Sequence, residues 1–419
     1  MKIENLRSET QGNRARVAAT VIWEDCDRPS HEIYFETKEE FAESLSCNPH
    51  AFLVACAIPA MHYREKRVFI DAEVCPDLRN GLRASLGFMR HWYGDAGGQP
   101  FRIESRVMTR TTAERTPERA GFFFSGGIDS FATLRENHLS YPSTHPGYLR
   151  DGILIYGLEL DEPDKFEHVL RSLTNVAEQA NISLVPVYTN LYLVYRNEDA
   201  GNGFSFWYYK FMGAALAAVA HALSRRLTVV SIATDLDIPN QKPHGSHPLL
   251  DTNYSSYNLR IRHRGVALSR LEKTKLIAGW DVALENLRVC NHFRQYSVDT
   301  LNCGKCEKCV RTMLALTAVG VLDKMQTFPA TRVSEDLVRQ AVRLSPISLP
   351  MYGELLGPLA EKGREDLAHA ITSLIEEYYH RQKSWGERIK QFDAKYLGGV
   401  LRKSKQALRA IGYHIQHRR

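Results

Sequence analysis

The sequence predicts an α/β protein built on a parallel sheet, with a small α+β unit before it and a helical region after it. Three observations lead there. Between residues 121 and 233, short apolar runs of strand type alternate with longer runs of helix type. Those strand runs carry few polar residues, as strands covered on both faces do. Ahead of residue 115 and beyond residue 325 the alternation gives way to other patterns. The predicted divisions are therefore an accessory unit at 1–115, a central domain at 116–325 and a helical region at 326–419.

Taken in order, residues 16–23, 31–37 and 67–74 read as strands, 76–93 as a helix and 101–108 as a further strand. The polar, proline-bearing stretch 109–120 reads as a linker. Next come a short strand at 121–124, a glycine-rich turn and a helix. A strand at 152–160, a helix at 165–180, a strand at 183–189, a helix at 206–225 and a strand at 227–233 complete the series. Residues 309–319 read as a helix, as do 334–344, 352–356 and 365–382. In the last stretch Leu397, Val400, Leu401, Leu408 and Ile411 recur at three- and four-residue steps, the mark of an amphipathic helix with a basic opposite face. A docked terminal helix is the favoured reading of it over a membrane or nucleic-acid contact.

Composition fits a folded chain of more than one core: 419 residues, 44% hydrophobic and 24% charged. The net charge is +6, yet residues 381–419 alone carry +9, so the body is slightly acidic. A nucleic-acid partner is compatible with this balance and not required by it. The longest apolar run, 211–223, is too short to span a bilayer and carries His221, so no membrane span is expected. No apolar segment of signal-peptide type opens the chain, so the expected compartment is the cytoplasm, where the eight cysteines stay reduced.

The string Ser125-Gly126-Gly127-Ile128-Asp129-Ser130 follows three phenylalanines at a strand end. Two glycines let the backbone bend tightly and approach a ligand. The following helix start offers free N–H groups and a positive dipole end to an anion. Ser125 and Ser130 add hydroxyls, and Asp129 is placed to hold a Mg²⁺ that bridges phosphates. No Walker lysine follows the glycines, and no dinucleotide fingerprint is present. The string resembles the SGGxDS loop of the PP-loop ATP pyrophosphatase superfamily, whose domain is adenine nucleotide alpha hydrolase-like. The resemblance implies that Ser125, Gly126, Gly127, Asp129 and Ser130 grip the pyrophosphate of ATP. It further implies adenylation of a carboxylate or carbonyl oxygen. Glu159 and Asp161, at the end of the next strand, are weaker candidates near the nucleoside.

Cys290, Cys303, Cys306 and Cys309 form a C-x₁₂-C-x₂-C-x₂-C set. Four thiolates fill the tetrahedral shell of a structural Zn²⁺, and Gly304 supplies the turn. An iron–sulfur cluster or a redox role for the CxxC pairs are the lesser readings. Cys26, Cys47, Cys56 and Cys75 are scattered, as core cysteines are. With the SGGxDS loop ahead of it and Arg311 just after it, this cluster resembles that of the 7-cyano-7-deazaguanine synthase family over about residues 120–320. Those enzymes use ATP and ammonia to convert a carboxylate to an amide and then a nitrile, with the zinc structural. The 269–277 helix resembles the family's Lys/Glu-bearing helix, so that Lys273 or Lys275 reaches the phosphates.

Two further features border the same strand ends. His244-Gly245-Ser246-His247-Pro248, with Asp235, Asp237 and Asp251 near in sequence, is a candidate pocket or acid–base loop. The aromatic cluster 204–209 reads as core packing. The expected activity is a C–N ligase. Asp129, Ser125 and Lys273 are its catalytic candidates, ATP, Mg²⁺ and Zn²⁺ its cofactors, and free ammonia or an amine its nucleophile. Nucleobase thiolation and a non-catalytic nucleotide-binding scaffold are the alternatives. The acceptor and the oligomeric state are not legible in the sequence.

Overall fold

A computed structural model describes residues 1–94, 101–109, 118–158, 160–195, 203–290 and 300–396. Strands β1 (Lys2–Gln11), β2 (Arg14–Ile22) and β3 (His31–Lys38) form an antiparallel meander. Helix α1 (Pro49–His62), β4 (Arg67–Val74), α2 (Pro76–Tyr93) and β5 (Arg102–Val107) follow. The central series is β6 (Ala120–Phe123), α3 (Ile128–Ser140), β7 (Leu149–Tyr156), α4 (Pro163–Gln179) and β8 (Ser183–Thr189). Short helices α5 (Leu191–Tyr195) and α6 (Gly203–Phe206) and a π-turn (Trp207–Phe211) lead into α7 (Met212–Ala222) and β9 (Val229–Ala233). Then come α8 (Pro248–Asp251), β10 (Arg260–Arg264), α9 (Arg270–Ala278), α10 (Asp281–Asn286) and α11 (Glu307–Val319).

All ten strands belong to one sheet, ordered β10-β9-β6-β7-β8-β3-β2-β1-β4-β5. The α/β class and the parallel arrangement hold for its central part, where β10, β9, β6, β7 and β8 run parallel. From β6 the chain moves one way to β7 and β8 and the other way to β9 and β10. The carboxyl ends of β6 and β9 therefore flank a switch point, where such sheets open a crevice.

The division predicted at 115/116 does not separate two bodies. Residues 1–332 form one compact unit and 333–419 a second. The join is β3 against β8, antiparallel, with Phe35 opposite Thr189. Thr37 Oγ1 donates to the Pro186 carbonyl at 2.7 Å, and Thr189 Oγ1 donates to the Tyr34 carbonyl at 2.7 Å. Helix α1 is apolar on every side (AFLVACAIPA) and buried from His50 to Ala60. Such a helix has no solvent face to offer. It packs along α7, which is equally apolar, and the two close one hydrophobic core spanning both halves.

In the second unit α12 (Glu335–Ala341), α13 (Leu349–Gly353) and α14 (Leu356–Glu361) pack on α15 (Glu365–Tyr396) through Val338, Tyr352, Leu359, Leu367 and Ile371. The amphipathic stretch expected from Leu397 onward, most of the 109–120 linker and Glu159 lie outside the described residues. Among the described residues no helix is long and apolar enough to cross a membrane.

Candidate functional site

The bend after β6 is built from its glycines. Phe122 and Phe124 are buried beneath the loop, and the Phe124 N–H continues the sheet onto the Ile153 carbonyl at 2.8 Å. Gly126 has φ +78°, a conformation an L side chain rarely adopts, and a Cβ there would press on Leu173 and Arg288. Gly127 is the N-cap of α3, so the first-turn amides of that helix open toward the bend. Ser125 is exposed at the rim, with Oγ 3.4 Å from the Gly127 nitrogen that donates to it. The buried Ser130 turns inward instead, its hydroxyl donating to the Gly127 carbonyl at 2.9 Å. Ser130 thus holds the bend's shape, and Ser125 stands exposed at its rim.

Asp129 gathers the charges. The Lys273 ammonium donates to Asp129 Oδ1 at 3.2 Å and to the Thr234 carbonyl at 2.7 Å. The Arg270 guanidinium donates to Asp129 Oδ2. Lys273 is 1% exposed, whereas Lys275 points to solvent, so the helix commits one lysine to the loop. Helix α9 is fixed for this by a capping box between Ser269 and Glu272. Burial works to raise the Asp129 carboxyl, and the Arg270 and Lys273 charges more than offset it, leaving its pKa below the usual carboxylate value. Nothing in the spacing of the loop foretold Arg270. Its position three residues before Lys273 on the same helix is the one available signal.

A second chain segment locks the bend to the cysteines. The Arg288 amide donates to the Gly126 carbonyl at 2.8 Å, and its guanidinium to the Ser125 carbonyl at 3.4 Å. Two residues on, Cys290 joins Cys303, Cys306 and Cys309, whose sulfurs all lie within 4.8 Å of one another. Cys290 Sγ is 3.8 Å from Cys306 Sγ, and Cys303 Sγ is 3.6 Å from Cys309 Sγ. A tetrahedral ion with Zn–S bonds of about 2.3 Å sets its sulfurs about 3.8 Å apart, so the spacing suits one zinc ion. The Cys306 and Lys305 amides donate to Cys303 Sγ at 3.2 and 3.4 Å, as amides around a thiolate do. The crowding of sulfur on sulfur pushes Cys306 up to about 12, first through its hydrogen bond with Cys290, and Cys290 raises Cys309 also; a divalent cation would favour the thiolates instead.

Asn302, absent from the sequence reading, is the keystone of this corner. Fully buried, its Oδ1 accepts from the Val289 and Cys290 amides at 2.8 and 3.2 Å. Its Nδ2 donates to the Leu287 and Thr327 carbonyls at 2.8 and 3.2 Å. One side chain thereby ties the first cysteine's strand to the other three. Gly304, at φ +71° and beneath Pro329, makes the knuckle turn.

The third group lines the β9 end. Asp235 follows Thr234, the residue whose carbonyl receives Lys273. Tyr208 donates to Asp235 Oδ2 at 3.2 Å, and the buried His244 places Nε2 3.7 Å from Oδ1. The His244 and Tyr208 rings stack at 5.7 Å. Behind them Asp251 accepts from His263 Nδ1 and from Ser246 Oγ, each at 2.7 Å. Burial holds His247 down to about 4 and also lowers His244. Of the predicted carboxylates, Asp235 and Asp251 join the histidines, and Asp237 instead accepts from the Asn240 side-chain amide at 2.7 Å. Asp161 is exposed, and its carbonyl accepts from Tyr156. In the aromatic cluster Phe206 and Trp207 are core residues, as expected, and the half-buried Tyr208 is the one bonded to Asp235. Cys56 and Cys75 are buried and Cys26 and Cys47 partly so; none of the four belongs to the cysteine site.

Set against protein-family models, curated proteins and solved structures, the chain matches none of them. What fold and site define is an α/β protein with a mostly parallel ten-stranded sheet and a four-cysteine cluster compatible with zinc.

Proposed function

We propose that the chain is an ATP-dependent ligase of PP-loop type. It splits ATP into AMP and pyrophosphate, adenylates a carboxylate or carbonyl, and lets ammonia or an amine displace AMP. One observation carries this reading: the SGGIDS bend stands at the sheet's switch point with Lys273 and Arg270 converging on its aspartate. The first-turn amides of α3 and the Ser125 hydroxyl suit the departing pyrophosphate, and the two cations supply countercharge as it leaves. The residues present fit a Mg²⁺ through Asp129 alone. Its two oxygens already receive Arg270 and Lys273, and a Mg²⁺ held by this carboxylate would supply further countercharge to the phosphates. The four cysteines would hold Zn²⁺ as a brace for the Arg288 segment under the loop.

Sulfur transfer through an internal thiol is the poorer fit. Burial pushes Cys56 up to about 12 and also raises Cys26 and Cys47, the opposite of activation. The test is ATP–pyrophosphate exchange across a panel of carboxylic acids, joined to mass spectrometry of small molecules retained by the Asp129→Asn protein. Exchange by the parent chain and its loss, by about 10²-fold or more, in Asp129→Asn is expected. A parent chain that binds ATP yet exchanges with no acid, its retained ligands included, would establish the scaffold alternative.

A further inference from the structure

We propose that the outer face of β10 binds the phosphate backbone of a single-stranded nucleic acid. β10 is the last strand of the sheet, paired on one side only, parallel to β9. Its residues alternate. Leu259 and Ile261 are buried, and the His263 side chain is buried against Asp251. That face packs on α8 and on the Thr252–Tyr254 turn. The other face presents Arg260, Arg262 and Arg264, whose backbone positions succeed one another at about 6.6 Å along the strand.

Among the described residues no carboxylate lies within ion-pairing distance of any of these three charges. Arg264 donates to the Tyr141 hydroxyl at 3.4 Å, and Arg262 reaches the same hydroxyl. Burial and the neighbouring Arg264 and Arg260 charges hold Arg262 below the usual arginine value. Arg264 likewise draws the Tyr141 phenol below its own. Here Arg262 and Arg264 are half-buried beside like charge, a cost that a row of bound anions would offset.

The surroundings favour nucleic acid over an acidic polypeptide. Tyr141, bonded to Arg264, meets the exposed His145 ring at 5.0 Å. Aromatic rings beside a row of guanidiniums are what unstacked bases and their phosphates engage, without reading sequence. The stripe also ends at the cleft. The Arg264 carbonyl accepts from the Thr234 amide at 2.9 Å, and Gly265 packs against the Lys273 side chain. A strand laid along β10 would reach the loop aspartate, although its binding does not depend on the adenylation chemistry.

The experiment is fluorescence anisotropy of the full chain with a labelled 20-nucleotide oligouridylate, titrated between 50 and 200 mM salt. Against the parent chain, the Arg260→Gln/Arg262→Gln/Arg264→Gln variant should bind at least about tenfold more weakly at 50 mM. Its slope of log Kd against log salt should be smaller by about 2, at about 0.7 per phosphate. The exposed single change Arg260→Gln, which threatens no packing, should lower the slope by about 0.7. Because the readout is a difference between variants, the basic residues beyond 381 cancel. The proposal fails if the parent chain does not bind at 50 mM, or if the variants keep its slope. It fails also if polyglutamate of matched charge displaces the oligonucleotide at equal concentration.

Discussion

Lys273 shows how one residue can be legible as a type and illegible as a partner. The sequence placed a lysine-bearing helix ahead of the cysteines, and two lysines satisfied that pattern equally. Burial chose between them, because only Lys273 falls on the inward face of α9, where Thr234 and Asp129 receive its protons. Ionised groups titrate at this scale, and the buried histidines set the acid limit of the fold. Burial holds His50 down to about 3, with the nearby His221 adding to it; burial also holds His221 down to about 4. Each ring is neutral in the fold and held by one bond: His50 Nε2 accepts from the Cys75 amide, and His221 Nε2 donates to the Tyr254 carbonyl. As pH falls below about 6.5 the unfolded chain takes up these protons and the folded chain does not. Stability should therefore fall on acidification from pH 6.5 toward 4, by about 1.4 kcal/mol per pH unit for each histidine. Urea unfolding at pH 7, 6 and 5 measures this. In His50→Gln the pH slope should be shallower by about that amount, and an unchanged slope would mean His50 takes up its proton in the folded state.

The strand at 67–74 and the helix at 76–93 lie where alternation or amphipathic spacing put them, and the strand at 183–189, buried along most of its length, lies where its apolar run put it. Helix α1 escaped because it has no polar face, and β10 went unread although its three arginines alternate with Leu259, Ile261 and His263. The strand expected at 152–160 instead spans Leu149–Tyr156, since Gly157, at φ +91°, turns the chain. The cysteine spacing announced its own site, yet the fixing of Cys290 depends on Asn302, which sits beside the motif and resembles any loop asparagine. Replacing Asn302 with Ala would leave two buried amides and two buried carbonyls without their partner. A loss of about 2–4 kcal/mol in unfolding free energy is expected. Metal analysis of the parent chain should give one zinc per chain. Competition with a chromogenic chelator should show Asn302→Ala releasing it at least about tenfold more readily. Retention of parental zinc affinity would show that the four cysteines place themselves.

At the scale of the molecule, a break in pattern near residue 115 suggested a boundary, and the sheet crosses it. No local signal could show this, because the pairing of β3 with β8 links residues about 150 positions apart. Sequence periodicity reports which face of a strand is buried, never which strand lies beside it. The consequence is thermodynamic. Strands β2 and β3 share a core with β7, β8 and α7, and removing the first 109 residues would strip α7 of α1 and leave β8 as an open edge. Residues 1–332 should accordingly open as a single cooperative body. Native-state hydrogen exchange followed by mass spectrometry tests this through peptides from β2 and from β7. Equal opening free energies, and an equal response of both to denaturant, are expected. Exchange of β1 to β4 as a block more than about tenfold ahead of β7, a gap of about 1.4 kcal/mol, would mean the accessory unit folds by itself after all.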